Sequence, residues 1–348
     1  MNQKNVFRKK HFQFFRRNLA IDMGTSYTVV WSPRKGMLLQ EPTVLAIDSK
    51  EGNIHQFGKK AWEMIGKNPQ DIRIVRPIRA GVIANFNYTV KLLKVFISRL
   101  LPRSPFVKMR LIMTIPYGTT QVERQAMITT GKRIGIKNIY LIEEPLAAAI
   151  GAGIPIEEAR GCLLVNLGGG VTEIALMSLG GIVKATTLRQ GGEDLDTALQ
   201  RYIHKKYRLE IGQTTATRMK EEAGYALKVP QNKTYEVKGF NWATRKPDRI
   251  KIPYTEINEA MEPILETWCS SLKKTFEQAS PQLASDIIKQ GILLTGGGSL
   301  LRNIDVLMSK ELHLDVKRVN APFYGAAKGA SQALHFISNK QYLDHYRA

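Results

Sequence analysis

The apolar positions of this chain fall into short runs, and two of those runs are alike. LAIDMGTSYTVVW at 19–31 and LLVNLGGGVTEIAL at 163–176 each read as an apolar strand, one polar residue, a tight turn rich in glycine and hydroxyl groups, and a second β-branched strand. Leu163 aligns with Leu19 and Asn166 with Asp22, so the pattern predicts two hairpins, one opening each half of the chain. A third run, GILLTGGGSLLR at 291–302, predicts a buried strand that ends in Gly296, Gly297 and Gly298 and runs into a helix. EPLAAAIGAG at 144–153 predicts a helix of small residues, able to pack tightly and to cross between the halves as a hinge.

The turns suggest a ligand. Gly24 in the first, and Gly168, Gly169 and Gly170 in the second, permit φ > 0 and leave backbone N–H groups open to phosphate oxygens. The Asp22 carboxylate and the Asn166 amide stand just before the turns, where a hydrated Mg²⁺ would bridge phosphates. One such hairpin is weak evidence, but two facing hairpins predict a clamp on a single nucleotide. The glycine turn at 296–298 adds a close backbone approach and a helix N-terminus that favours anions. None of the three matches GxxxxGK[ST] or GxGxxG, so neither a Walker loop nor a dinucleotide fingerprint is present.

Composition narrows the class. The chain has 348 residues, 43% of them apolar, enough for two folded domains and against disorder or a fibrous repeat. Cys162 and Cys269 have no second cysteine or histidine at metal-ligand spacing and read as buried thiols of a reducing cytoplasm. No run reaches the ~18 apolar residues that span a bilayer, and no signal-peptide pattern opens the chain. A net charge of +21 attracts acidic partners: nucleic acid, anionic lipid or acidic protein. No RNP motif, zinc-finger spacing or helix-turn-helix supports nucleic acid, and none is expected as a partner.

Residues 1–18 carry Lys4, Arg8, Lys9, Lys10, Arg16 and Arg17 without an acidic residue, interleaved with Phe7, Phe12, Phe14 and Phe15. As a helix the segment sets Phe7, Phe14 and Phe15 on one face, with Phe12 on its flank and Lys9, Lys10, Arg16 and Arg17 largely opposite. Such a basic amphipathic extension suits an anionic membrane surface. The loop Leu100-Leu101-Pro102-Arg103-Ser104-Pro105-Phe106-Val107 also sets apolar side chains between basic ones, fitting either membrane contact or packing beneath the loop.

Together these segments resemble the actin, sugar-kinase and DnaK-type ATPase superfamily, and within it the MreB family of bacterial actins. The similarity runs through LQEPTVLAI (39–47), RPIRAGVIANF (76–86), IPYGTTQVERQA (115–126), LIEEPLAAAIGAGIPI (141–156), QGGEDLDTAL (190–199), IGQTTATRMKEEAG (211–224) and LLTGGGSLLRNID (293–305), nearly end to end. It implies an α/β, actin-like fold: two ribonuclease H-like domains around a nucleotide cleft, each with an inserted subdomain. The implied divisions are 19–38, 84–150 and 322–348 for the first large subdomain, with its insertion at 39–83. The second comprises 151–190 and 255–321, with its insertion at 191–254, and the extension at 1–18 stands apart.

The resemblance also implies roles. Gly24, Thr25, Ser26 and Tyr27 form the first phosphate loop, and Gly168, Gly169, Gly170, Val171 and Thr172 the second. Gly296, Gly297 and Gly298 meet the adenosine, with Lys220 and Glu221 at the ribose and base; Glu222 is in register by a shift of one. Asp22, with Asn166, holds Mg²⁺ through its waters, Glu144 orients the attacking water, and Thr172 completes the catalytic set. The cofactors are ATP or ADP with Mg²⁺, and the chemistry is positioning plus charge neutralisation. Glu144 has a plainer reading too, a carboxylate favouring a helix dipole.

Two positions depart from the family. Asn166 replaces an aspartate, which weakens attraction for the metal shell and for a proton on the lytic water, so weak ATPase activity with intact nucleotide binding is expected. Val171 replaces a threonine usual in bacterial relatives. The implied assembly is self-association into antiparallel double protofilaments through the insertions, with the helix of Val122 and Glu123 between protofilaments. Such filaments would lie in the cytoplasm at the inner face of the cell membrane, working with other cell-shape or wall-synthesis membrane proteins. The alternatives are a DNA-segregating or non-polymerising actin-fold ATPase. A chaperone would need a substrate domain after the ATPase, and a sugar kinase would need sugar contacts that no motif locates.

Overall fold

A computed structural model describes residues 16–100 and 108–336. The membrane expectations placed on residues 1–15 and 101–107 therefore lie outside the described residues.

Two five-stranded sheets form the frame. The first contains β1 (Arg16–Met23), β2 (Tyr27–Ser32), β3 (Gly36–Pro42), β4 (Lys108–Ile115) and β5 (Asn138–Glu143). Its order is β5-β4-β1-β2-β3, antiparallel across β1-β2-β3 and parallel across β1-β4-β5. The second contains β6 (Cys162–Leu167), β7 (Thr172–Ser178), β8 (Gly181–Leu188), β9 (Ile292–Thr295) and β10 (Val316–Arg318). Its order, β8-β7-β6-β9-β10, repeats the first in sequence and sense. The repeated motif thus marks a repeated topology. Its apolar runs are unbroken because the central strands are covered on both faces: Leu19, Ala20 and Ile21, like Leu163, Leu164 and Val165, are all buried.

Each sheet breaks after its third strand for an insertion. The first insertion is a three-stranded sheet with Leu45–Asp48 between Ile54–Phe57 and Ile72–Val75. The second holds the helices Gly192–Tyr207 and Gln213–Ala223 and a sheet of Leu209–Glu210, Thr234–Asn241 and Lys246–Pro253. In each half a helix then leads back to the parallel strands, Phe86–Leu100 in the first and Tyr254–Phe276 in the second.

The halves meet through small residues. Ala147, Ala148 and Ala149 of the helix Glu144–Gly151 share one buried cluster with Ala326, Ala330 and Ala333 of the helix Gly325–Phe336, together with Ala20, Leu164 and Ala175 from both sheets. A methyl group at Gly151 would overlap the Gly325 carbonyl, and one at Gly329 the Ala147 carbonyl. The helices touch backbone to backbone, so Ala147 to Ala149 and Gly151 reflect this crossing, whereas Gly153, with φ +78° and open space around it, serves the turn after the helix.

Two local expectations are corrected, and a freedom that the turn glycines permit goes largely unused. Arg16, Arg17 and Asn18 belong to β1, parallel to Lys108–Arg110, and not to a helical extension. After Thr295 the chain makes a 3₁₀ turn over Gly297–Leu300, and the helix starts only at Ile304. Of the ligand-directed glycines only Gly296 has positive φ; Gly24, Gly168, Gly169 and Gly170 do not.

Candidate functional site

Glycine at the hairpin turns answers to proximity. A methyl group at Gly169 would overlap Ser26 Oγ, and one at Gly170 would lie 2.6 Å from Thr25 Oγ1. The two turns, one from each half, therefore face each other at contact distance. Between and beside them lies a cleft of ≈ 420 Å³, lined from the first half by Asp22, Gly24, Thr25, Ser26 and Tyr27 and from the second by Asn166, Gly168 and Gly169. Rows of backbone N–H groups can approach a phosphate chain there without side chains in the way.

The floor is acidic. Thr114 Oγ1 donates to Asp22 Oδ1 at 2.7 Å, and burial pushes the Asp22 carboxyl up to about 6. Glu144, the first residue of its helix, is raised well above the carboxylate range by burial and then by the charges of Asp22 and Glu173. Glu173 is fully buried and lifted to about 7 by desolvation, although the Tyr117 N–H donates to it at 2.7 Å. Asn166 Nδ2 donates to Glu144 at 2.8 Å and to Glu173 at 3.2 Å. An aspartate in its place would be a fourth carboxylate at the floor; the amide is a donor among acceptors.

At the other end the cleft widens to a mixed wall. Gly296, Gly297 and Gly298 line it with Phe323, which meets the Tyr27 ring edge-on at 5.0 Å. Lys220 Nζ bonds the Gly192 carbonyl at 2.5 Å and Asp196 at 2.7 Å, and Thr217 donates to Asp196. Glu221 lines the cleft, its carboxyl raised by burial. Glu222 instead accepts the Tyr235 hydroxyl on the exposed side and does not line the cleft.

Not every expected residue reaches the cleft. Gly170, Val171 and Thr172 do not line it: Gly170 backs onto Thr25, Val171 onto Gly81, and the buried Thr172 hydroxyl finds no protein partner. Asn166, expected at the metal shell, turns its donor to the carboxylates. Sequence reasoning passed over Glu173, Thr114, Glu193 and Asp196. Glu173 and Glu193 sit within motifs quoted for other residues, and no spacing sets them apart.

Among the described residues no group of three or more His, Cys, Asp or Glu side chains is arranged to hold a metal. Mg²⁺ needs no such cage, because it keeps several waters and takes one or two carboxylates. Asp22 and Glu144, two hard-oxygen groups whose charges repel in a buried floor, fit a hydrated cation of that kind.

The model of the MreB/Mbl protein family matches residues 16–342. The cell shape-determining protein MreB of Escherichia coli (strain K12) is 38% identical over 335 residues, covering 94% of this chain and 96% of that protein. The cell shape-determining protein Mbl of Bacillus subtilis (strain 168) is 34% identical over 320 residues, covering 92% and 96%. The crystal structure of MreB5 of Spiroplasma citri bound to ADP superposes with a TM-score of 0.89 at 30% identity, over 94% of this chain and 98% of that one. The MamK double helical filament, at 20% identity and a TM-score of 0.79 over 92% and 99%, shares the fold.

Proposed function

The chain belongs to the MreB/Mbl family of cell shape-determining proteins and has the actin-like fold, and on that premise we propose that it binds ATP or ADP with Mg²⁺ between its halves and polymerises. The observation that carries this reading is the pair of glycine turns, 24–27 and 168–170, facing each other over an acidic floor. The MreB5 structures of Spiroplasma citri bound to ADP and to AMPPNP support it. Titration calorimetry with ATP and Mg²⁺ tests it: saturable uptake is expected, and a cleft indifferent to ATP would end the reading.

In this reading the turns hold the phosphates, Gly296 to Gly298, Lys220 and Glu221 hold the nucleoside, and Asp22 and Glu144 face the water shell of Mg²⁺, which would neutralise phosphate charge. Glu144, whose proton affinity is raised by its own desolvation and then by the charges of Asp22 and Glu173, accepts a proton from water near the terminal phosphate. Thr172 contributes from behind the second turn, and Asn166 keeps hydrolysis slow. Phosphate release by Asn166→Asp measures that: a gain over the parent is expected, and no gain means that the amide is neutral for turnover.

Filaments would stack head to tail through the insertions and pair antiparallel through the helix Gln121–Arg133. Its Val122 is 80% exposed, whereas Glu123 is spent on a capping box with Thr120. A projecting valine suits a protein contact, and Val122→Glu is expected to leave nucleotide binding intact while reducing ATP-dependent pelleting. Residues 1–15 and the 100–107 loop would hold the filament at the inner face of the membrane, beside other cell-shape or wall-synthesis proteins. Among the described residues no helix is long and apolar enough to cross a membrane. Pelleting with anionic liposomes, compared with a chain beginning at Arg16 so that β1 stays whole, isolates the contribution of the extension.

A further inference from the structure

The Glu193 carboxylate has no role in the reading above, yet it lies at the first turn. Ser26 Oγ donates to Glu193 Oε1 at 2.6 Å, and Arg76 pairs with the same oxygen. Arg76 follows Ile72–Val75, an edge strand of the three-stranded sheet in the first insertion, while Glu193 opens the helix Gly192–Tyr207, its own N–H bonded to the Gly169 carbonyl at 2.8 Å. A guanidinium from one half and a carboxylate from the other thus meet at the hydroxyl that faces the second turn. Their side chains are only 16% and 24% exposed, so solvent screens them weakly. The Arg76 guanidinium also lies 5.6 Å from the Trp62 ring centroid, and Trp62 lines the cleft.

A hydroxyl that donates to a carboxylate oxygen donates as well to a phosphate oxygen, and a guanidinium fork fits either. We propose that Glu193 stands in for the terminal phosphate when the cleft holds no triphosphate, and that Arg76 is the specificity residue separating ATP from ADP. The proposal rests on the nucleotide reading of the cleft. A γ-phosphate displaces Glu193 from Ser26 and takes over Arg76. A diphosphate is one phosphate short of the bridge and leaves it closed. The two insertions are then tied through protein side chains in the ADP state and through the nucleotide in the ATP state.

The test is the ratio of affinities for a non-hydrolysable ATP analogue and for ADP, each with Mg²⁺, in the full chain and in Glu193→Gln, Arg76→Gln and Arg76→Lys. Removing the competing charge in Glu193→Gln is expected to tighten the triphosphate by about tenfold and to change ADP by less than about twofold. Arg76→Gln is expected to weaken the triphosphate by about tenfold with ADP nearly unchanged, and Arg76→Lys, which keeps the charge but loses the fork, falls between. A ratio in Glu193→Gln equal to that of the parent chain overturns the proposal, as does equal weakening of both nucleotides by Arg76→Gln. Should an arginine variant fail to fold, Glu193→Gln decides alone. A parent chain that binds neither nucleotide sinks the proposed function itself, an outcome distinct from an unchanged ratio.

Discussion

The first and second hairpins occupy the same place in topologically identical sheets, yet their floor residues work in opposite ways. Asp22 accepts a hydrogen bond from Thr114 and is one of three carboxylates at the floor, half-buried like Glu144, whereas Glu173 is fully buried; Asn166, its counterpart, donates to the other two. A cleft built by repetition would have set two aspartates over Glu144 and Glu173, with every carboxyl competing for protons. The amide relieves that repulsion in the protein alone, and in doing so gives up a charge that would hold a cation or a proton. Repetition made the frame, and one atom's difference set its electrostatics.

The comparison breaks most readily at the turns. Gly169→Ala drives a methyl group into Ser26, an overpacking cost of about 1–3 kcal/mol that is expected to weaken nucleotide affinity roughly ten- to a hundredfold. Gly24→Ala places its methyl group 3.0 Å from the Tyr27 carbonyl and is expected to cost about 1 kcal/mol or less. Equal losses in calorimetry would mean that the turns are not packed as described.

At the floor, Asn166→Asp exchanges a buried donor for an acceptor and is expected to cost the nucleotide-free protein about 1–3 kcal/mol, read by urea unfolding. Asp22→Asn removes repulsion but strands a donor, so it should cost less.

The pH dependence sharpens the same contrast. Asp22 and Glu173 are protonated more readily folded than unfolded, about 6 against 3.8 and about 7 against 4.5. The unfolded chain therefore binds fewer protons across this window, and stability falls as pH rises from about 4 through 7. The melting temperature of the nucleotide-free protein is expected to drop by several degrees between pH 5 and pH 8. Asp22→Asn should flatten that slope and Asn166→Asp steepen it. Saturating Mg²⁺ with ADP should flatten it too, because a cation at Asp22 and Glu144 favours their charged forms. A slope that all three leave unchanged would place its origin elsewhere.

The smallest effect is expected from Glu222→Gln, which touches only the exposed Tyr235 hydroxyl and should leave ADP affinity within about twofold. Glu221→Gln, on the cleft wall, should change it more.

The sequence by itself determined the repeat, because a doubly covered strand leaves an unbroken apolar run and a tight turn leaves glycine, and both marks are local. It also determined the small-residue crossing helix, the acidic residue at its head and the basic balance of the chain. Tertiary structure decided which charges share the cleft. Glu173 alternates within a strand as a solvent-facing residue would, and Glu193 opens a helix as countless surface glutamates do. Each becomes part of the site only because one sheet is laid against the other, which strips water from carboxylates far apart in the chain. The reason Gly169 and Gly170 are needed was likewise settled there: their constraint is the opposite turn, which no single hairpin records, whereas Gly24 and Gly168 are crowded by the Tyr27 and Val171 carbonyls of their own turns.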